Sequence, residues 1–288
     1  MMNVKISNDK KSGLYFTIML LLFLILSVVA SGVLLAVDAD SFVVTIISSL
    51  VCPIAIIVTV FLLKEENERL VLPYVNRKVN PLGWLALLPI AVGMILGLGY
   101  VNVVFLDWLS RLGLATPIIQ LPLDNLTNYL LCVFFIAVIP AVFEEYFFRG
   151  ILLKKMLGYG KVFAVIISAL FFAIYHGSIS QLIYQFIYGV VLGYVAIKYQ
   201  NVIYTALIHF LNNFFVLTLE FLGCNLFANP IYMILGLVLL AFGLVLVFFT
   251  GAKICFPKDK KAIDFFVPFG GLGIMLAVII IVLGAFNG

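Results

Sequence analysis

Charged residues are scarce in this chain. Only 10% of its 288 residues are Asp, Glu, Lys or Arg, whereas 65% are hydrophobic. Soluble globular domains carry about 25% charged residues, so the composition excludes a protein of that class. Apolar runs long enough to cross a bilayer recur along the chain. We therefore predict an all-α, polytopic transmembrane helix bundle, with residues 1–288 forming one integral-membrane domain.

Nine apolar stretches are the candidate membrane spans. They cover residues 13–37, 41–63, 82–106, 127–157, 161–176, 179–199, 202–222, 230–250 and 264–286. The fifth is short for a hydrocarbon core that is about 30 Å thick, so eight or nine spans are expected. Two small-residue patterns, Gly93-xxx-Gly97 and Gly189-xxx-Gly193, predict faces where helices pack closely.

Cysteine is also sparse, and its spacing carries no pattern. Cys52, Cys132, Cys224 and Cys255 include no CxxC pair and no repeated interval. A disulfide framework or a zinc knuckle requires paired cysteines, so the sequence indicates neither. The cysteines are interpreted as small apolar side chains within the bundle.

The basic residues follow one side of the predicted membrane. If the N-terminus is cytoplasmic, nine alternating spans place every Lys and Arg except Arg111 in a cytoplasmic segment or at a cytoplasmic helix end. Short loops rich in Lys and Arg stay in the cytoplasm, which favours this orientation. The net charge of +4 then reflects topology, and no nucleic-acid partner is expected. In a bacterium, such a multi-pass protein would lie in the plasma membrane.

The chain has only two histidines, and both lie in apolar stretches. His176 closes the fifth span, and His209 lies within the seventh, one helical turn before Asn213. The fourth span contributes two adjacent acids, Glu144 and Glu145. Ionisable side chains at membrane depth cost several kcal/mol, so each of them is a candidate functional residue.

The two glutamates are expected to have different tasks. Adjacent side chains on a helix diverge by about 100°, so Glu144 and Glu145 should not face the same partner. Glu145 and Arg149 have the i, i+4 spacing of an ion pair, which leaves Glu144 free for chemistry. Pro140 has no N–H, so it frees the carbonyl of Ile136 and favours a kink. The alternative is that this cluster only marks the inner end of the span.

Counting residues from the turn at 158–160 predicts the depth of the site. Glu144 and His176 both lie on the order of 22–26 Å from this turn at the helical rise per residue. His209 lies roughly 15 Å beyond the next inner loop by the same measure. These side chains are therefore expected to meet in one cavity below the membrane surface, nearer the cytoplasmic side.

Three short motifs occur in a fixed order over residues 144–213. They resemble the motifs of the CPBP intramembrane proteases, which include the type II CAAX prenyl endopeptidases and bacteriocin-processing enzymes. The motifs are Glu144-Glu145-xxx-Arg149, Phe172-xxx-His176 and His209-xxx-Asn213. The resemblance spans roughly residues 125–220 and implies a catalytic core at about 125–222, with Glu145 and Arg149 as an accessory pair.

The resemblance implies an intramembrane endopeptidase. In such an enzyme Glu144 and His176 would activate the attacking water, while His209 and Asn213 would stabilise the oxyanion or help to hold a metal. The substrate would be a membrane-associated or lipidated peptide or protein, such as a CAAX-type tail, a peptide leader or a membrane protein. The other partner of the chain is the lipid bilayer itself.

The metal and the function class have alternatives. A divalent metal, best matched by zinc, could be held by Glu144, His176 and His209, although the chain has no HExxH motif. A metal-free Glu/His mechanism would use the same residues. A transporter or ion channel would also bury Glu and His residues, but no inverted repeat is found. A non-catalytic relative that confers immunity or acts as a scaffold is the third interpretation.

Overall fold

All regular structure in the described part of the chain is helical. The computed structural model describes residues 12–63, 81–114, 121–227, 229–252, 265, 273–276 and 278. The helices are α1 (Ser12–Ala36), α2 (Ser41–Leu63), α3 (Leu87–Arg111), α4 (Leu126–Tyr159), α5 (Lys161–Tyr175), α6 (Leu182–Tyr199), α7 (Val202–Phe221) and α8 (Pro230–Thr250). Short 3₁₀ turns, Pro81–Ala86 and Ile179–Gln181, lead into α3 and α6. The predicted all-α polytopic bundle is confirmed.

Eight of the nine predicted spans correspond to these helices. Seven are long and apolar enough to cross a membrane, and α5 is a shorter apolar helix of 15 residues. Its length of about 22 Å falls short of a hydrocarbon core of about 30 Å, as its sequence predicts. Most of the ninth predicted span, 264–286, lies outside the described residues. The third span ends later than expected, because α3 continues to Arg111.

Outward-facing side chains on the peripheral helices are apolar. Leu35 on α1, Phe61 on α2 and Phe249 on α8 are among the most exposed. Exposed apolar surface of this kind marks a lipid-facing side when it lies on helices of membrane-spanning length. The chain is therefore an integral membrane protein.

Both predicted small-residue faces lie at close helix contacts. On α3, Gly93 faces the backbone of Leu240 on α8, and a side chain at Gly93 would collide with it. On α6, Gly189 faces the backbone of Ala169 on α5, and Gly193 faces Val165. These contacts hold α5 and α6 side by side along these segments.

The helix α4 is irregular on both sides of its glutamate pair. Val133–Val138 and Tyr146–Leu153 have the wide turns of a π-helix, and the α-helical segment Ile139–Glu145 lies between them. Pro140 at the start of that segment cannot donate a backbone hydrogen bond, which is one physical reason for the first irregularity. Wide turns of this kind occur frequently at functional sites.

Candidate active site

The four predicted catalytic residues come together around one cavity. Glu144 from α4, His176 at the end of α5, and His209 and Asn213 from α7 all line a space of about 510 Å³. Side chains from α1, α2, α3 and α6 complete its wall. This lining agrees with the expectation that Glu144, His176 and His209 would meet in one cavity. Glu145 and Arg149 lie outside the lining of this cavity.

Glu145 and Arg149 form the ion pair that their spacing predicts. Arg149 Nη1 donates to Glu145 Oε1 at 2.6 Å, and the two side chains are 1% and 0% exposed. Arg149 Nη2 lies 3.5 Å from the carbonyl oxygen of Gly189, and its guanidinium lies 4.2 Å from the ring centroid of Phe172. A buried guanidinium needs such compensation from every side, so the accessory pair also connects α4 to α5 and α6.

His209 lies between the two glutamates, which contradicts the expectation that they would have separate partners. His209 Nδ1 is 3.0 Å from Glu145 Oε1, and His209 Nε2 is 4.0 Å from Glu144 Oε2. Adjacent side chains on α4 still diverge. The imidazole of His209 on α7 can nevertheless face both carboxylates, because it has two ring nitrogens that point in different directions. A carboxylate paired with Arg149 can only accept, so Nδ1 of His209 donates the hydrogen bond.

The ring of His176 is oriented by its own helix. His176 Nδ1 donates to the carbonyl oxygen of Phe172 at 2.7 Å, because a carbonyl can only accept. Phe172 also contacts the rings of His176 and His209 edge-on, with centroid distances of 4.8 Å and 5.9 Å. In the neutral ring, this leaves the lone pair on Nε2 of His176. The Phe172 ring thus contacts both histidine rings, and the Phe172 carbonyl oxygen holds the orientation of the His176 ring.

Asn213 contacts the carbonyl of Ile136, which cannot accept a hydrogen bond from Pro140. Its Nδ2 donates to the carbonyl oxygen of Ile136 at 3.1 Å. The sequence predicted that Pro140 would free this carbonyl, but it did not identify Asn213 as the donor that uses it. An amide nitrogen carries two hydrogens, so one N–H of Asn213 remains for the cavity that it lines.

Sequence reasoning missed several residues of the cavity wall. Asn212 and Tyr184 are hydrogen bonded to each other and line the cavity, and Tyr175 contacts both Glu144 and Cys52 there. Asn212 had a usable signal, because it is a polar neighbour of Asn213 in an apolar helix. The tyrosines had none, since the chain contains 13 of them.

The described donors do not form the three-ligand metal site considered from the sequence. No group of three or more His, Cys, Asp or Glu side chains in the described ranges is arranged to hold a metal ion. His209 Nδ1 is occupied by Glu145, and only its Nε2 faces Glu144.

One family comparison covers the segment that carries the site. The model of the family described as Type II CAAX prenyl endopeptidase Rce1-like matches residues 126–215, which is less than half of the chain. This segment contains all three motifs, so the match confirms the resemblance to the CPBP intramembrane proteases. At the level of the family it indicates a protease, a CAAX-type intramembrane endopeptidase. Comparisons with curated proteins and with solved structures gave no match.

Proposed function

We propose that the chain is an intramembrane endopeptidase that hydrolyses a peptide bond with a water activated by Glu144 and His176. One observation carries this proposal: Glu144, His176, His209 and Asn213, from three helices, line a single cavity. Ionisable side chains at membrane depth are costly, so a group of them around one cavity is a candidate functional site. The match of this segment to a protease family supports hydrolysis as the function of this site.

Glu144 is the proposed base. Its Oε2 has no hydrogen-bond partner among the described residues, although the side chain is only 6% exposed. A buried carboxylate oxygen without a partner has room for a water, and a carboxylate can accept the proton of that water. His176, whose Nδ1 is held by Phe172, offers Nε2 as the second acceptor that orients the water.

His209 and Asn213 are the proposed donors for the oxyanion. His209 faces a carboxylate from each ring nitrogen, so a protonated ring would balance the charges of the site. The two carboxylates, the guanidinium of Arg149 and that imidazolium then sum to zero. In this form Nε2 of His209 carries a hydrogen, and the free N–H of Asn213 supplies the second donor.

The proposed hydrolysis uses the positions of Glu144, His209 and Asn213. Water gives a proton to Glu144 as its oxygen attacks the peptide carbonyl carbon, and the carbonyl oxygen becomes an anion beside His209 and Asn213. The carbon–nitrogen bond breaks when Glu144 returns the proton to the departing amine. The products are a carboxyl group and an amine, and no step is assigned to a metal because the described donors form no three-ligand group.

The proposed substrate is a membrane-associated or lipidated peptide or protein. Besides the four site residues, the cavity is lined by uncharged polar side chains: Ser48, Ser49, Asn102, Gln181 and Gln185. Hydroxyl and amide groups can bind the backbone of an extended peptide, which has donors and acceptors at every residue. A CAAX-type tail, a peptide leader and an internal segment of a membrane protein all meet this requirement.

The test is a comparison of peptides released from membranes that contain the wild-type chain or Glu144→Gln. A substrate should yield fragments only with the wild type, and its uncut form should accumulate with the variant. The exposed Glu220 on α7 lies outside the cavity lining, so Glu220→Gln is the matched control. Identical peptide sets from all three membranes would favour a transporter, a channel or a non-catalytic relative.

We further propose that the N-terminus is cytoplasmic, on the basis of the Lys and Arg distribution. Cys224 is exposed in the segment after α7, and Cys52 and Cys132 are buried. In a Cys255→Ser background, an impermeant thiol reagent added to intact cells should therefore label Cys224. A cysteine at the exposed start of α5, introduced as Lys161→Cys in a background without Cys224, should react only after the cells are opened. The reverse pattern would invert the orientation.

A further inference from the structure

A row of hydrogen bonds connects α6 to α4 through two consecutive asparagines of α7. Tyr184 Oη donates to Asn212 Oδ1 at 2.7 Å. Asn212 Nδ2 donates to Asn213 Oδ1 at 3.3 Å. Asn213 Nδ2 in turn donates to the carbonyl oxygen of Ile136 at 3.1 Å. We call these four residues the amide relay, and we propose that Tyr184 and Asn212 are positioning residues that fix the amide of Asn213 for oxyanion stabilisation.

The donor and acceptor groups of the relay can be assigned in only one way. A backbone carbonyl can only accept, so the group of Asn213 that faces Ile136 must be its nitrogen. If this amide were reversed, its oxygen would face the carbonyl oxygen of Ile136, and its nitrogen would face the nitrogen of Asn212. Both contacts would be repulsive. The two neighbours therefore hold the amide nitrogen on the side of α4, where the fourth-span wall of the cavity lies.

The acceptor at the end of the relay is supplied by Pro140. In a regular α-helix the carbonyl of Ile136 would accept from the backbone nitrogen four residues later, but that residue is a proline and has no hydrogen. The carbonyl is therefore available to a side chain. Ile136, Pro140 and Asn213 all line the same cavity, so this acceptor lies at the site itself.

The donor at the start of the relay is specific to Tyr184. Its hydroxyl uses the oxygen of Asn212, and this leaves the nitrogen of Asn212 to face Asn213. Asn212 is only 5% exposed, and the hydroxyl of Tyr184 is the donor that its oxygen faces in the structure. Without Tyr184 the amide of Asn212 could rotate, and Asn213 would lose the contact that distinguishes its two orientations.

The proposal rests on the oxyanion role of Asn213, and Tyr184→Phe tests it. The substitution keeps the ring and removes one hydroxyl, so we expect kcat to fall about two- to tenfold, the usual effect of one hydrogen bond, with KM unchanged. Tyr194→Phe is the matched control. Tyr194 lies further along α6, does not line the cavity, and lines a separate pocket beside Val165 and Lys198. Its kcat should equal that of the wild type.

A double-mutant cycle separates positioning from a structural role. If Tyr184 acts through Asn213, then Tyr184→Phe should cause no further loss of kcat in an Asn213→Ala background. Full activity of Tyr184→Phe, or losses that multiply in the double variant, would overturn the relay while leaving the oxyanion role intact. Full activity of Asn213→Ala would overturn the oxyanion role itself, and the relay with it.

Discussion

Glu144 and Glu145 are consecutive in the chain, yet α4 directs one to the cavity and the other into a closed contact. Each keeps an Oε2 atom without a hydrogen-bond partner in the described part of the chain. Only Glu144 borders the cavity, so only its oxygen can be reached by water or substrate. Glu145 Oε1 instead accepts from Arg149 at 2.6 Å and lies 3.0 Å from His209 Nδ1.

The comparison shows how one residue step on a helix, which turns a side chain by about 100°, can separate a carboxylate that borders the cavity from one held in an ion pair. Glu145 is paired with a guanidinium and contacts Nδ1 of His209, whereas Glu144 faces Nε2 of that ring at 4.0 Å and contacts Tyr175. His209 therefore couples the two sides. A substitution of Glu145 should therefore affect the cavity through the His209 ring. Replacing Glu145 and replacing Glu144 should have different effects.

The largest expected effect is that of Glu144→Gln on turnover. The amide keeps the shape of the side chain but cannot accept the proton of water, so turnover should fall by about 10²–10⁴ or to background. The thermal unfolding of the purified variant should match the wild type, because Glu144 forms no ion pair shorter than 4.0 Å with the described residues. Wild-type turnover in this variant would remove the proposed base.

The next largest effect concerns the two donors on the same face of α7. His209→Ala and Asn213→Ala should each lower kcat by on the order of 10²–10³, the usual loss for one oxyanion donor. The double variant should lose much less than the product of the single losses, since residues that act as a unit are not additive. Independent, multiplying losses in a kinetic cycle would show that the two residues serve separate functions.

Glu145→Gln should mainly lower stability. It leaves a guanidinium that is 1% exposed without its counter-charge, so the free energy of unfolding should fall by about 3 kcal/mol. Asp107→Asn is the matched control, because Asp107 and Arg111 form an i, i+4 pair at 2.7 Å whose side chains are 59% and 76% exposed. The control should change stability by about 0.5 kcal/mol or less. Equal unfolding temperatures for both variants in detergent would contradict the structural role of Glu145.

Features that depend on one helix or one hairpin could be predicted from the sequence. The pairing of Glu145 with Arg149 follows from the i, i+4 spacing, and the release of the Ile136 carbonyl follows from Pro140 alone. The shared cavity of Glu144 and His176 agrees with counting residues on two antiparallel helices joined by a short turn. Each of these inferences needs only the helical rise and the chemistry of single residues.

Contacts between helices distant in sequence could not be predicted in this way. The position of His209 between both glutamates depends on how α7 is rotated against α4, and the relay from Tyr184 depends on the register of α6 and α7. Neither this rotation nor this register can be inferred from the residue spacing within one helix. The wide turns on both sides of Ile139–Glu145 are of the same kind, since only Pro140 gave any local signal for them.

The smallest expected effect is that of metal removal, for which we expect none. A catalytic zinc ion would need three protein ligands, and the described His, Cys, Asp and Glu side chains form no such group. Turnover of the purified protein should therefore be unchanged by a zinc chelator. Metal analysis of the wild type, His209→Ala and Asn213→Ala should find no stoichiometric metal in any of them.

The metal-free mechanism is wrong if the wild type holds one equivalent of zinc that His209→Ala loses and Asn213→Ala keeps, and if chelation stops turnover until zinc is restored. In that case Glu144 Oε2 and His209 Nε2, which are 4.0 Å apart, would be two of the zinc ligands. The cavity that Glu144 borders would then be a metal site.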